Sequence, residues 1–184
     1  MILRKVLSLV AVATLFVTAS ATNAEDLTLD AKASKITFVG AKPDGKHEGG
    51  FNKFACKATA DFERPENGSL VIDIDTASLW SDNEKLTNHL KNPDFFDVRK
   101  YKTIKFESTK IVTGEDETAA KLVGKMTMLG KTVDVEVPVT VAMEGSTLTL
   151  NSDFKIDRTK WGMTYGEGKI NNDVMIKALL VFNI

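Results

Sequence analysis

The chain has 184 residues, 43% of them hydrophobic, with 24 basic and 25 acidic side chains and a single cysteine. This near-neutral balance argues against the basic face of a nucleic-acid binder, and the lone Cys56 excludes an internal disulfide, so packing alone must hold the fold.

At the N-terminus, Arg4-Lys5 precede an apolar run from Val6 to Val17, and small residues follow at Ala19, Ala21 and Ala24. That is the pattern of a secretory signal peptide, with cleavage expected after Ala21 or Ala24. The run is shorter than the roughly 20 apolar residues that a membrane-spanning helix needs, and no later stretch reaches that length. No cysteine stands near the site, so no lipoprotein anchor is expected. The organisation that follows is residues 1–24 as signal peptide and residues 25–184 as one exported domain, large enough for a core without staples. Losing Arg4 and Lys5 leaves 22 basic against 25 acidic groups, a net charge near −3.

From Glu25 onward apolar and polar residues alternate, as in antiparallel strands with one dry and one wet face. Ile36 and Phe38 point one way in Ser34 to Val39. Gly40 to Gly50 holds Pro43, Asp44-Gly45 and Gly49-Gly50 and reads as a mobile, turn-rich connection. Phe54, Cys56, Ala58, Ala60 and Phe62 then alternate with Lys57, Thr59 and Asp61, and Leu70, Ile72 and Ile74 with Asp73 and Asp75. In Ser78 to Phe106 the two-residue rhythm breaks. Ser81 is placed to cap a helix with Glu84 reaching back to it, Leu86 and Leu90 share one face, and Asn92-Pro93 ends the helix. Phe95 and Phe96 follow on a polar turn, as a plug or as a lid.

The alternation resumes at Ile104 and Phe106, and again at Leu122, Gly124, Met126 and Met128. Leu129-Gly130-Lys131 reads as a tight hairpin into Val133, Val135, Val137, Val139 and Val141, where Pro138 marks an edge or bulge. Leu148, Leu150, Phe154 and Ile156 come next, then a Gly-rich connection from Arg158 to Lys169 with Trp161 and Tyr165. In the last strand, Val174 to Phe182, the second face carries Leu179 and Val181, so the helix or the second subunit of a homodimer is expected to cover it. Eight hairpin-linked strands with no parallel crossover predict an all-β fold, an eight-stranded antiparallel up-and-down barrel with a short helical insertion. Such a barrel encloses one elongated ligand or is filled by its own side chains.

SDNEKLTNHL, PDFFDV and KYKTIKFES in that order, then FKIDRTKWGMTY and Asn172-Asp173-Val174, resemble the YceI-like family of periplasmic polyisoprenoid-binding proteins. The resemblance runs from about Leu27 to Ile184 and implies an extended lipocalin-like barrel that holds an isoprenoid lipid or isoprenoid quinone. The chain departs from the family in ITFVGAKPDGKHEGGF, whose connection is longer and richer in Gly and Lys than expected.

Catalysis needs a base beside a nucleophile or paired carboxylates, and only His47 and His89 are available, both read as surface or capping residues. No HxH or CxxC spacing offers a metal site, and no cofactor motif stands out. Candidate lumen residues are Phe38, Phe54, Ile72, Ile104, Phe106, Met126, Val135 and Phe154, with Leu86, Leu90, Phe95, Phe96 and Trp161 near the closure. Arg158 either meets a ligand head group or pairs with Asp157 at a strand end beside a packed Trp161. The leading expectation is non-catalytic binding of a hydrophobic isoprenoid in the lumen. The alternatives are a barrel-type isomerase or cyclase acting through Arg158, Asp157 or His89, and a stress-linked structural or interaction protein with a filled barrel.

Overall fold

The structure, a computed structural model, describes residues 24–116 and 118–184; all but the last residue of the expected signal peptide lies outside them. Its strands are β1 (Glu25–Leu29), β2 (Lys35–Lys42), β3 (Gly45–Phe51), β4 (Phe54–Ala60), β5 (Ser69–Asp75), β6 (Leu79–Ser81), β7 (Thr103–Thr113), β8 (Ala119–Met128), β9 (Lys131–Glu144), β10 (Thr147–Asp157) and β11 (Asp173–Asn183). One helix, α1 (Glu84–Leu90), lies between β6 and β7.

Eight of these strands form a closed antiparallel ring in the order β1-β4-β5-β7-β8-β9-β10-β11, and β11 returns to β1 through Thr28↔Asn183 and Leu29↔Phe182. The other three strands extend members of the ring. β2 continues β1 along the same edge of β11, from Lys35↔Leu179 to Val39↔Met175, and β3 and β6 continue β4 and β5 beside it. The fold is therefore an eight-stranded up-and-down barrel whose first three long strands are each interrupted.

Side chains staple the interruptions. The Asp30 carboxylate accepts the N–H groups of Lys32 and Ala33, and the Ser34 hydroxyl accepts that of Val181. The Ser78 hydroxyl accepts the Lys53 N–H at 3.0 Å and donates to the Asp75 carbonyl at 2.6 Å. Backbone groups that leave the ladder thus keep partners, as burial next to a core requires.

Two seams open at one end of the barrel. Past Asp75, β6 pairs only with β3, and residues 82–102 fill the space before β7 begins. β9 and β10 pair only across residues 140–144 and 147–151, and beyond them residues 158–163 pack against β9. Pro138 stands where β9 has left β10, and its carbonyl accepts the Ser152 hydroxyl at 2.6 Å. The opposite end is closed by the buried side chains of Leu70, Leu122, Leu180 and Phe182. The β8–β9 hairpin turns through Leu129 (φ 52°) and Gly130 (φ 73°), the two left-handed residues that a two-residue primed turn needs.

Three expectations are corrected. Gly40 to Gly50 is not a loose connection: most of it is strand, because Gly49 and Gly50 serve close packing rather than turning. A Cβ on Gly49 would stand 2.4 Å from the Phe38 ring, and one on Gly50 2.7 Å from the Ile36 carbonyl. The helix is capped by Asn83, whose side-chain oxygen accepts the Leu86 N–H at 3.0 Å, and not by Ser81, which is still paired with Gly49 in β6. The outer face of β11 is not covered by the helix, since Leu179 is 37% exposed.

Phe182 is fully buried where β11 meets both β1 and β10. Phe182→Ala is expected to lower the urea unfolding free energy by about 3–5 kcal/mol. Leu179→Ala, on the outer face of the same strand, should change it by less than about 0.5 kcal/mol.

Candidate functional site

The open end of the barrel holds a cavity of about 340 Å³, and a second of about 80 Å³ lies deeper. Ile36, Ile74, Ile104, Met126 and Ile176 line both, so the two are adjoining chambers of the barrel interior that meet at an aliphatic waist. These five alternate with outward polar residues on β2, β5, β7, β8 and β11, and the barrel's curvature turns them toward one axis.

Residues 82–102 form the roof. The Asn83 cap starts α1 so that Leu86 and Leu90, one turn apart, face the cavity. The following turn swings Phe95 and Phe96 in behind them, helped by a left-handed Asp97 (φ 40°). Phe96 meets Phe38 and Phe51 at centroid distances of 6.2 and 5.7 Å, inserting the lid into the wall formed by β2 and β3. On the far side, Phe95 and His89 pack on Tyr165 at 5.2 and 4.9 Å, and His89 Nε2 lies 2.9 Å from an Asp94 carboxylate oxygen. Residues 82–102 and 158–172, which fill the two seams, therefore meet across the mouth.

Most of the sequence-derived candidates reach the lumen. Phe38, Leu86, Leu90, Phe95, Phe96 and Arg158 line the outer chamber, Ile72, Phe106 and Phe154 the inner one, and Ile104 and Met126 both. Phe54 and Val135 pack against the core without lining either chamber. Trp161, 1% exposed, also stays off the wall; its indole N–H donates to the Met126 carbonyl at 2.9 Å and closes the β9–β10 seam. Sequence reasoning passed over Met163, Ile170 and His47, which stand in segments read as loop and line the outer chamber.

Arg158 is 3% exposed and does not form the expected ion pair with Asp157. The Asp157 carboxylate is engaged by the N–H and hydroxyl of Thr159, at 2.9 and 2.6 Å. The guanidinium donates instead to the carbonyls of Asn171, Met163 and Ile170 at 3.1, 2.7 and 3.3 Å, folding residues 158–172 around itself. An Asp-Arg neighbour pair in sequence carries no sign of this, because all three acceptors are backbone oxygens.

The wall is almost entirely apolar. Each histidine has an aspartate partner, yet among the described residues neither pair has a nucleophile in hydrogen-bonded contact with it. Burial pushes the Cys56 thiol up to about 12, so it stays a protonated small hydrophobe. Among the described residues no group of three or more His, Cys, Asp or Glu side chains is placed to hold a metal ion, and no helix is long and apolar enough to cross a membrane.

A closed antiparallel barrel with an apolar lumen and a lid at one end defines the lipocalin-like class. Within it, the chain belongs to the family of the YceI-like domain, whose model matches residues 27–182. A UPF0312 protein of Pseudomonas putida is 37% identical over 97 residues, 53% of this chain and 50% of the relative. The chain thus spans about half the length of that relative. The crystal structure of Burkholderia cenocepacia BcnA superposes with a TM-score of 0.79 at 30% identity, covering 83% of this chain and 98% of that one. A polyisoprenoid binding domain from Saccharophagus degradans shares the fold at 14% identity, with a TM-score of 0.64 over 85% of this chain and 97% of that one.

Arg158→Leu strands three carbonyls at the mouth. Its urea unfolding free energy should fall by about 3 kcal/mol, and residues 162–170 should become the first site of proteolytic cleavage. Arg158→Lys, which lacks the planar fork, should recover less than half of the loss.

Proposed function

We propose that this protein binds an isoprenoid lipid or isoprenoid quinone in its barrel lumen, without catalysis, as an exported periplasmic carrier. One observation carries the reading: an apolar lumen of two adjoining chambers under a lid of Leu86, Leu90, Phe95 and Phe96. A dry cavity of about 150 Å³ holds one benzene, so the outer chamber takes on the order of 14 carbons, about three isoprene units. At about 0.8 kcal/mol per buried methylene, each five-carbon unit contributes roughly 3–4 kcal/mol. Three units give on the order of 10 kcal/mol, enough to offset much of the association cost without any polar contact.

The name of the Saccharophagus degradans domain supports the ligand class, and the N-terminal pattern of Arg4-Lys5, apolar run and small residues supports export. The open outer chamber favours a container over a barrel filled by its own side chains. The engagement of Arg158 by three backbone carbonyls and of Asp157 by Thr159 favours it over an isomerase or cyclase acting through either residue.

The direct test is mass spectrometry of an organic extract of protein purified from the periplasm. A prenyl lipid or quinone near one per protein is expected, and Ile176→Phe, which narrows the waist, should cut its uptake at least tenfold while the protein stays folded. An empty extract, together with no uptake of added polyprenol or prenyl quinone, would overturn the proposal.

A further inference from the structure

An apolar lumen holds a tail but cannot orient a head, so any recognition of the polar end falls to the mouth. Three polar side chains lining the outer chamber are already committed. Arg158 is held by three carbonyls, the Ser81 hydroxyl donates to the Asn83 carbonyl at 2.8 Å, and the Lys42 ammonium lies 3.3 Å from Asp44. Glu48 is exposed, and among the described residues its carboxylate has no hydrogen-bond or ion-pair partner.

His47 differs. It projects from β3 into the cavity lining, half-exposed, with Nδ1 2.9 Å from Asp82 Oδ1. Asp82 is itself locked to β3, accepting the Glu48 N–H on its second oxygen at 3.2 Å and donating its own N–H to the Glu48 carbonyl at 2.9 Å. The His47 bond, and next the Glu48 N–H, hold the Asp82 carboxyl below its ordinary value of 3.8, so at neutral pH it is an acceptor only. The proton of a neutral His47 ring therefore sits on Nδ1, and Nε2 presents a lone pair at the rim.

Building on the lumen reading, we infer that His47 Nε2, oriented by Asp82, is the head-group contact of this site and accepts a hydrogen bond from the hydroxyl of an apolar alcohol or phenol. Asp82 is the positioning residue: it sets the ring's angle and its tautomer. A consequence separates two forms of one ligand class. A hydroquinone offers an O–H to this acceptor, whereas an oxidised quinone offers only carbonyl oxygens and finds no donor in neutral His47.

The test is a cycle of ligand against side chain. Farnesol and farnesyl methyl ether, which share a tail and differ in the donor hydrogen, are titrated against the wild-type chain, His47→Leu and Asp82→Asn. Wild type should favour the alcohol three- to tenfold relative to the ratio seen in His47→Leu, the size of one net hydrogen bond. Asp82→Asn should also lose the preference, and the ¹⁵N shifts of its His47 ring should report a change of tautomer that a purely structural role would not produce. Because His47 is half-exposed, His47→Leu should keep its melting temperature, and the ratio of the two affinities cancels any change in binding common to both compounds. An unchanged ratio in His47→Leu, with both compounds still bound, overturns the head-group assignment alone. Failure of wild type to bind either compound removes the lumen reading and this inference with it.

Discussion

Everything in this molecule depends on the sheet closing on itself through one edge of β11. That edge is shared: β1 takes its last residues and β2 its middle. Closure leaves the central ladder no free edge to solvent, and only a closed ladder keeps water from the interior. Where pairing is given up, at the β6–β7 and β9–β10 seams, the chain supplies crossing segments, 82–102 and 158–172. Both seams lie at the same end, so the mouth is a consequence of where the ladder stops.

The two ends of the barrel answer to different demands. At the closed end, the buried Leu70, Leu122, Leu180 and Phe182 provide stability, and the chamber that the first three border is only about 80 Å³. The hollow end forgoes packing. At about 24 cal/mol per Å³ of unfilled apolar volume, 340 Å³ corresponds to on the order of 8 kcal/mol, comparable with the whole net stability of an ordinary domain. Bulkier residues at Ile74, Ile104 or Ile176 would recover much of it. A lumen kept open against that gradient is the strongest physical argument for an occupant, and an occupant would in turn stabilise the fold by mass action.

The strands were legible because period-two alternation is a local property, and the lumen candidates followed from it: Phe38, Ile104, Phe106 and Met126 all lie on inward faces. Alternation also placed Phe54 and Val135 inward, but it does not say how far along the axis the hollow extends. What escaped the sequence depends on contacts between distant segments. Gly49 and Gly50 look like turn residues until the Phe38 ring and the Ile36 carbonyl are seen beside them. Ser81 looks like a cap until β6 claims it. Arg158 invites an acidic partner, whereas its partners are carbonyls that carry no sequence signature. His47 appeared to be a loop residue, 35 positions from the aspartate that orients it.

The arrangement divides recognition by magnitude. Under the proposed function, each isoprene unit in the lumen would be worth roughly 3–4 kcal/mol, so affinity would follow tail length and bulk. A single hydrogen bond at a half-exposed rim is worth about 1 kcal/mol, too little to hold a ligand but enough for a several-fold choice between two with the same tail. Such a site would retain a broad set of prenyl compounds and sort among them by one proton. The sorting group stands at the mouth because there it costs no burial of an unpaired polar atom, whereas the same imidazole at the aliphatic waist would cost more than it returned. The apolar depth and the polar rim are thus two results of one constraint: a polar group inside a dry barrel must have its partner already in place, as Arg158 does, or remain at the water's edge, as His47 does.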